Sequence, residues 1–367
     1  MDFDFSDDQK MLADQVQRFL DQQCDMARVR AVLESPPRFA ADVWQGLADM
    51  GLLGTAVPEA YGGTGAGYLE LCLVAQQLGA HLAPVPFAST VYLVAEALLR
   101  CGSEKQKNAH LPAICTGQLK AALACTEGLE RLQPQAITTR VIDGRITGTK
   151  NIVSDGSVAD LYLVLAREED SLGLYLVQAG DGVSARAVES VDLTRDVAEV
   201  RFAGAVADKL SGDGWQVLEQ LYQRAAVLVA FEQLGGAQAA LDMAVNYANE
   251  RYAFGRAIGS FQAIKHMLAD MFVAMKLAES NCYYAAWALA NDAPDLALAA
   301  ATARVSATQA FQLCAKDNVQ VHGGMGFTWE FDCHLYYRRS NYLAVELGTM
   351  SEWEARLVNA LPLQDIA

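Results

Sequence analysis

Apolar residues recur at three- and four-residue spacing from Ser6 to about Gln118, most clearly in Met11-Leu-Ala-Asp-Gln-Val-Gln-Arg-Phe-Leu20 and over Leu69–Leu78, which predicts helices. Ser6, with Asp7 and Asp8 behind it, predicts an N-cap followed by acids matched to the helix dipole. The run Val57-Pro-Glu-Ala-Tyr-Gly-Gly-Thr-Gly-Ala-Gly67 is dense in chain breakers and reads as a loop. Its glycines approach a dinucleotide fingerprint, but Tyr68 stands where the pattern needs a small residue, and no strand precedes it. From Leu119 to about Leu210 the period shortens to alternating runs: Ala136–Ile142, Leu161–Ala166 and Leu172–Val177. Asp143-Gly144, Asp155-Gly156 and Gly180-Asp-Gly182 punctuate them, as turns between antiparallel strands do. Long helical patterns return from Trp215 to Leu361, with Leu218–Ala248 and Phe261–Ala290 the clearest and with Ala-rich faces suited to close packing. The order is helical, then β, then helical, over residues 1–118, 119–210 and 211–367.

Composition narrows the function classes. Hydrophobic residues make up 52% of the chain and charged residues 20%, which suits a large buried interior. A formal net charge of −16, with no basic stripe, argues against a nucleic-acid partner, and an anionic coenzyme would need a local cluster of Arg, Lys or helix N-termini. The eight cysteines form no C-x-x-C pair, and the chain opens Met-Asp-Phe-Asp-Phe without a basic-then-apolar leader. Both features predict reduced thiols in the cytoplasm. No metal-ligand spacing and no uninterrupted run of eighteen apolar residues is present, so neither a metal site nor a membrane span is expected.

Two segments carry candidate chemistry. In Arg251-Tyr-Ala-Phe254-Gly255-Arg256, running on to Gln262, the arginine stands near a helix end that Gly255 and Gly259 signal. It reads either as a helix-terminal arginine satisfying the dipole or as a bidentate partner for a pyrophosphate. In Gln320-Val-His-Gly-Gly-Met-Gly-Phe327, Gly323 and Gly324 let backbone approach a ligand where a Cβ would collide, and Gln320 can bond an adenosine or ribose edge.

With Pro58-Glu-Ala-Tyr-Gly-Gly63, Ala124-Cys-Thr-Glu127 and Gly148-Thr-Lys150, these segments resemble the acyl-CoA dehydrogenase family over essentially the whole chain. The resemblance implies a mainly α fold with a middle β domain: N-terminal helices, a small antiparallel β-barrel, and a C-terminal four-helix bundle carrying FAD-binding and oligomerisation elements. It also implies FAD as cofactor, an acyl-CoA substrate in lipid or steroid catabolism (β-oxidation), and an electron-transfer flavoprotein as acceptor. Arg251, Phe254, Gln262, Gln320, Gly323 and Gly324 match the arm that reaches a neighbouring subunit's FAD, while Thr126, Ser154 and Thr349 match positions nearer the flavin of the same subunit. The chemistry needs a general base at the acyl α-carbon while hydride leaves from the β-carbon, and a glutamate raised by an apolar pocket serves this well.

Several elements depart from that pattern. The family's Y-E-G-T element falls on Glu346-Leu347-Gly348-Thr349, so Leu347 occupies the base position and Glu346 is redirected by about 100°. The alternative base position, on the helix through Gln223-Arg224-Ala225-Ala226, holds no acid, and Glu232 further on reads as structural or solvent-facing. Gly-Ser-Asp after the T-E motif is replaced by Gly128-Leu-Glu-Arg-Leu-Gln-Pro134, and Trp-Ile-Thr beside the ring by Ile152-Val153-Ser154. The losses fall on elements serving a subunit's own site, whereas the retained arm serves a neighbour's. This resembles one subunit of an α2β2 heteromeric acyl-CoA dehydrogenase with a paralogous partner. Two alternatives stay open: a self-sufficient homotetramer using Glu346, and a non-catalytic flavin- or CoA-binding scaffold.

Overall fold

The computed structural model describes residues 5–34, 37–128 and 131–361. Helices α1 (Asp7–Gln23), α2 (Met26–Leu33), α3 (Ala41–Asp49) and α4 (Tyr68–Ala80) precede a π-helical segment, Ala88–Ala95, then α5 (Glu96–Cys101) and α6 (Glu104–Cys115). Strands follow: β1 (Ala121–Ala124), β2 (Arg140–Ile142), β3 (Arg145–Ser154), β4 (Leu161–Glu168), β5 (Ser171–Gln178), β6 (Val183–Ala187), β7 (Val197–Val206) and β8 (Asp208–Lys209). The chain continues as α7 (Gly214–Glu250), the short strands β9 (Tyr252–Ala253) and β10 (Arg256–Ala257), α8 (Gln262–Ala290), α9 (Leu296–His322), α10 (Cys333–Val345) and α11 (Met350–Ala360). Contacts group the chain into two units that cut across this order. One comprises the described parts of Met1–Val29, Tyr68–Ala83 and Ala226–Ala367, and the other comprises Arg30–Gly67 and Pro84–Ala225.

In the sheet unit the strands run β6-β7-β3-β2-β4-β5-β8, with β1 also on β4. The sheet is antiparallel except at β4, whose pairings with β1 and β2 are parallel. Leu161–Ala166 is buried without alternation, the mark of a strand covered on both faces. Asp143 and Gly144 both take positive φ (50° and 70°) between paired Ile142 and Arg145, a two-residue hairpin of the kind Asp-Gly favours. β2 is shorter than the alternation Ala136–Ile142 suggests, because Pro134 starts a 3-10 turn through Ala136 and fixes the chain outside the ladder. Polar contacts fasten the elements of this unit to one another. Ser89 Oγ donates to Asp155 (2.6 Å), Arg195 Nη1 to the Val85 carbonyl (3.0 Å), and Arg224 Nε to buried Glu96 (2.5 Å).

In the helical unit Ser6 caps α1, as its sequence predicts, and the structure adds a full capping box with Gln9. α4 and α7 cross at two glycines. A Cβ on Gly79 would lie 1.9 Å from the Glu232 carbonyl oxygen, and one on Gly235 would lie 1.8 Å from that of Gln76. Only hydrogen fits at either point. Beside the crossing, buried Glu232 pairs with buried Arg339 of α10 (3.1 Å), whose other Nη donates to the Leu82 carbonyl (3.3 Å). Glu232 is thus a structural residue, and a buried charge of this kind is held only because it is paired. Among the described residues no helix is long and apolar enough to cross a membrane.

Alanine is the better helix former by about 1 kcal/mol, so an unpacked Gly235 would gain from replacement. Here Gly235→Ala is expected to destabilise the protein by about 1–3 kcal/mol or more through overpacking, read as a lower denaturation midpoint at unchanged slope.

Candidate functional site

The last turn of α7 and the end of α9 position two exposed segments. Arg251 N–H donates to the Tyr247 carbonyl (2.8 Å), and the Arg251 carbonyl accepts from Ile258 N–H (2.8 Å), which closes the β9–β10 hairpin at its base. Phe254 and Gly255 form its turn, at φ 53° and 79°. Glycine suits that conformation, but a phenylalanine there is strained, and its side chain is 95% exposed. Phe261 underlies the hairpin, its ring edge-on to Phe254 (6.2 Å) and beneath the Arg256 guanidinium (4.0 Å). Arg251 and Gln262, the first residue of α8, are exposed.

At the end of α9 the chain turns on Gly323, whose φ 60° and ψ −138° are accessible to glycine almost alone. Gly323–Phe327 is a 3-10 turn; Gln320, Gly323 and Gly324 are exposed, and Phe327 is 85% exposed. Gly324 has no positive φ, and nothing lies within 4 Å of where its Cβ would stand. The chain's own fold therefore supplies no reason for glycine at this position. Buried His322 stacks on Tyr247 (4.0 Å between ring centroids, 25°), which brings the two segments together.

The Glu346–Thr349 linker joins α10 to α11. Arg304 of α9, fully buried, donates from Nη2 to the carbonyls of Leu343 and Glu346, the latter at 2.7 Å, and so caps α10 with a side chain. Burial pulls the Arg304 pKa down to about 10, with the charges of Glu346 and Glu232 opposing that fall. Glu346, the acid weighed as a base, is half-buried and lends its charge to this structural arginine. Leu347 sits in the left-handed region (φ 63°) with its side chain buried. The Thr349 hydroxyl is engaged in a capping box with Glu352 at the start of α11.

In the sheet unit Thr126 and Ser154 are half-buried. Thr126 accepts from Asn151 N–H (2.9 Å) through its carbonyl, and its neighbour Glu127 anchors the segment. Fully buried Lys150 donates to Glu127 (2.6 Å) and to the Cys125 carbonyl (3.2 Å), while Thr138 and Thr139 N–H groups donate to the same carboxylate (2.7 and 3.0 Å). Burial pushes the Glu127 carboxyl up, but the Lys150 hydrogen bond and charge, aided by the threonines, outweigh it and bring it down to about 2. After Lys150 the β3–β7 register shifts, and Ile152 emerges at φ 55° and 54% exposed where an indole is expected. Part of the Gly128–Pro134 replacement, residues 129 and 130, lies outside the described residues. Sequence reading missed the stabilising roles of Arg304, Lys150 and the Arg224–Glu96 pair, since each partner is remote along the chain.

Residues 6–118 match the family described as "Acyl-CoA dehydrogenase, N-terminal domain", and residues 212–358 match "Acyl-CoA dehydrogenase, C-terminal domain". The chain belongs to the acyl-CoA dehydrogenase family. It is 34% identical over 86% of its length to the acyl-CoA dehydrogenase FadE34 of Mycobacterium tuberculosis, but spans only 42% of that protein. With FadE27 of the same organism it shares 32% identity over 95% of both chains. The solved ChsE4-ChsE5 complex from Mycobacterium tuberculosis includes a chain that superposes with a TM-score of 0.90 at 30% identity, covering 98% of each. These likenesses bear out the helical–β–helical architecture and the FAD-dependent oxidoreductase class that the motifs imply.

An acyl-CoA dehydrogenase holds FAD, and the arm residues here fit its ADP half: an exposed guanidinium at Arg251, amides at Gln262 and Gln320, and open backbone at Gly323 and Gly324. The sheet unit fits the flavin ring less well, because Glu127 is committed to Lys150 and an exposed aliphatic side chain stands at Ile152.

The Glu127–Lys150 pair makes a stability prediction. A carboxylate whose folded pKa lies below its unfolded value contributes stability that is present above about pH 4.5 and lost as pH falls towards 2. Melting temperature against pH is expected to fall through that window in the native chain. In Glu127→Gln the curve should be flatter there and lower at neutral pH, because buried Lys150 keeps only neutral acceptors.

Proposed function

We propose that this acyl-CoA dehydrogenase is one subunit of a heteromeric α2β2 enzyme and supplies the ADP-binding arm to a flavin whose ring and catalytic base belong to a paralogous partner. The observation that carries this reading is the arm itself. Phe254 is strained and 95% exposed, and Gly324 is a glycine the fold does not require, so both residues make sense against a ligand or surface outside this chain. Arg251 offers a bidentate contact to pyrophosphate, Gln262 and Gln320 bond polar edges, and Gly323 and Gly324 admit close backbone approach. Leu347 supports the same reading, since a buried leucine has no proton to exchange and Glu346 lends its charge to Arg304. FAD, when bound, supplies hydride acceptance from the acyl β-carbon. The substrate is a bulky acyl-CoA of lipid or steroid catabolism, electrons leave to an electron-transfer flavoprotein, and the enzyme works in the cytoplasm.

Purified alone, the chain is expected to be colourless. Co-expressed with its paralogous partner, it should carry roughly half a FAD per chain, as when each flavin spans two polypeptides. Stoichiometric yellow flavin in the isolated chain, bleached by an acyl-CoA, would overturn the reading.

Within the complex, Arg251→Ala is expected to weaken FAD binding by about 10- to 100-fold, the loss of a charge-assisted contact of roughly 1.5–3 kcal/mol. Gly324→Ala should also lower flavin retention while leaving the stability of the isolated chain within about 0.5 kcal/mol, as for an ordinary surface change. Flavin-to-protein absorbance ratios and thermal melts measure both.

A further inference from the structure

Tyr247, His322 and Phe331 form a cluster that touches both arm segments from within. Tyr247 and His322 are stacked at 4.0 Å, and the Phe331 ring meets Tyr247 at 89° (6.2 Å) and His322 at 67° (5.8 Å). Each of the stacked residues is tied by backbone to one arm. The Tyr247 carbonyl receives the Arg251 N–H, so the helical turn that carries the ring also carries the base of the hairpin. His322 immediately precedes the Gly323 reversal, and the returning turn presses Gly326 against it: a Cβ on Gly326 would lie 3.2 Å from His322 Cβ and 2.6 Å from the Val319 carbonyl oxygen. The imidazole is fixed in orientation as well as place. Its Nδ1 lies 2.8 Å from the Asn318 carbonyl, which can only accept, so Nδ1 carries the proton. Burial also lowers the His322 pKa and favours the neutral ring that stacks on Tyr247.

We propose that this trio is a bolt that sets the spacing between the Arg251 hairpin and the Gly323-Gly324 turn, making Tyr247 and His322 positioning residues for the flavin ADP group. The proposal rests on the reading of the arm given above. Neither residue stands among the exposed groups that would meet the ligand: His322 is buried and Tyr247 half-buried. They act through Arg251 and the diglycine, whose contacts must meet one ligand from two helix ends held to within about 0.5 Å. Aromatic packing suits this task because the stacked faces set the separation of the two rings, and Phe331, packed steeply against both, opposes their sliding.

The test is FAD rebinding to the heteromeric complex stripped of flavin, followed by quenching of flavin fluorescence, with ADP as competitor. Tyr247→Leu and His322→Leu are each expected to raise the FAD Kd by about tenfold and to weaken competition by ADP in parallel. Tyr247→Phe keeps the stack and should stay within about twofold of the native complex. Should Tyr247→Leu fail to assemble, His322→Leu carries the same comparison. Unchanged FAD and ADP affinity in the leucine variants would overturn the bolt, as would a Tyr247→Phe variant as weak as Tyr247→Leu. Arg251→Ala in the same titration separates the two levels of argument. If it binds FAD normally, the arm does not hold the flavin and the proposed function fails. If it weakens binding while the leucine variants do not, the bolt alone fails.

Discussion

The helical unit depends on how closely two helices approach. At Gly79 and Gly235 the backbones of α4 and α7 meet with only hydrogen between them and the opposing carbonyls. Such contact places Glu232 beside Arg339, and so lets a buried charge pair form next to the crossing. Gly236, one residue on, takes the Phe311 ring of α9 against its backbone, so one short stretch of α7 receives two neighbours. A helix of 37 residues anchored this way delivers its far end, with Tyr247 and Arg251, to a defined place.

Buried charge in this protein is spent on architecture. Lys150 and Glu127 tie β3 to the segment behind Thr126, Arg224 and Glu96 tie α7 to α5, and Arg304 holds the carbonyls at the end of α10. Each of these charged groups is committed to holding elements of the fold together. The groups suited to holding an anionic cofactor are instead at the surface, on elements shaped by glycine and aromatic packing.

Local chemistry was legible in the sequence. The Ser6 cap, the Asp143-Gly144 turn, the long periodic runs of α7 and α8, and the Arg251 and Gly323-Gly324 motifs all carry their signal within a few residues, where capping, positive φ and helical period operate. The motifs also placed the chain in its family. The rest was hidden because it joins distant positions. Nothing near Arg304 announces the carbonyls it will cap, and nothing in the alternation before Ile142 reveals that Pro134 delays the strand. The parallel pairings of β4 were invisible for the same reason, since strand alternation records which face is buried and not which neighbour runs alongside. His322 was in view within its motif, but its partner Tyr247 looked like one more helical aromatic.

The hairpin tip has a consequence for the life of the chain before assembly. Phe254 and Phe327 present nearly bare aromatic rings to water, 95% and 85% exposed, on a chain of formal net charge −16. On the heteromer reading, an orphan copy displays the same adhesive features to every passing polypeptide. Matched synthesis of the two subunits, or capture of this chain by a chaperone until its partner emerges, then becomes a requirement of the cell rather than of the chemistry.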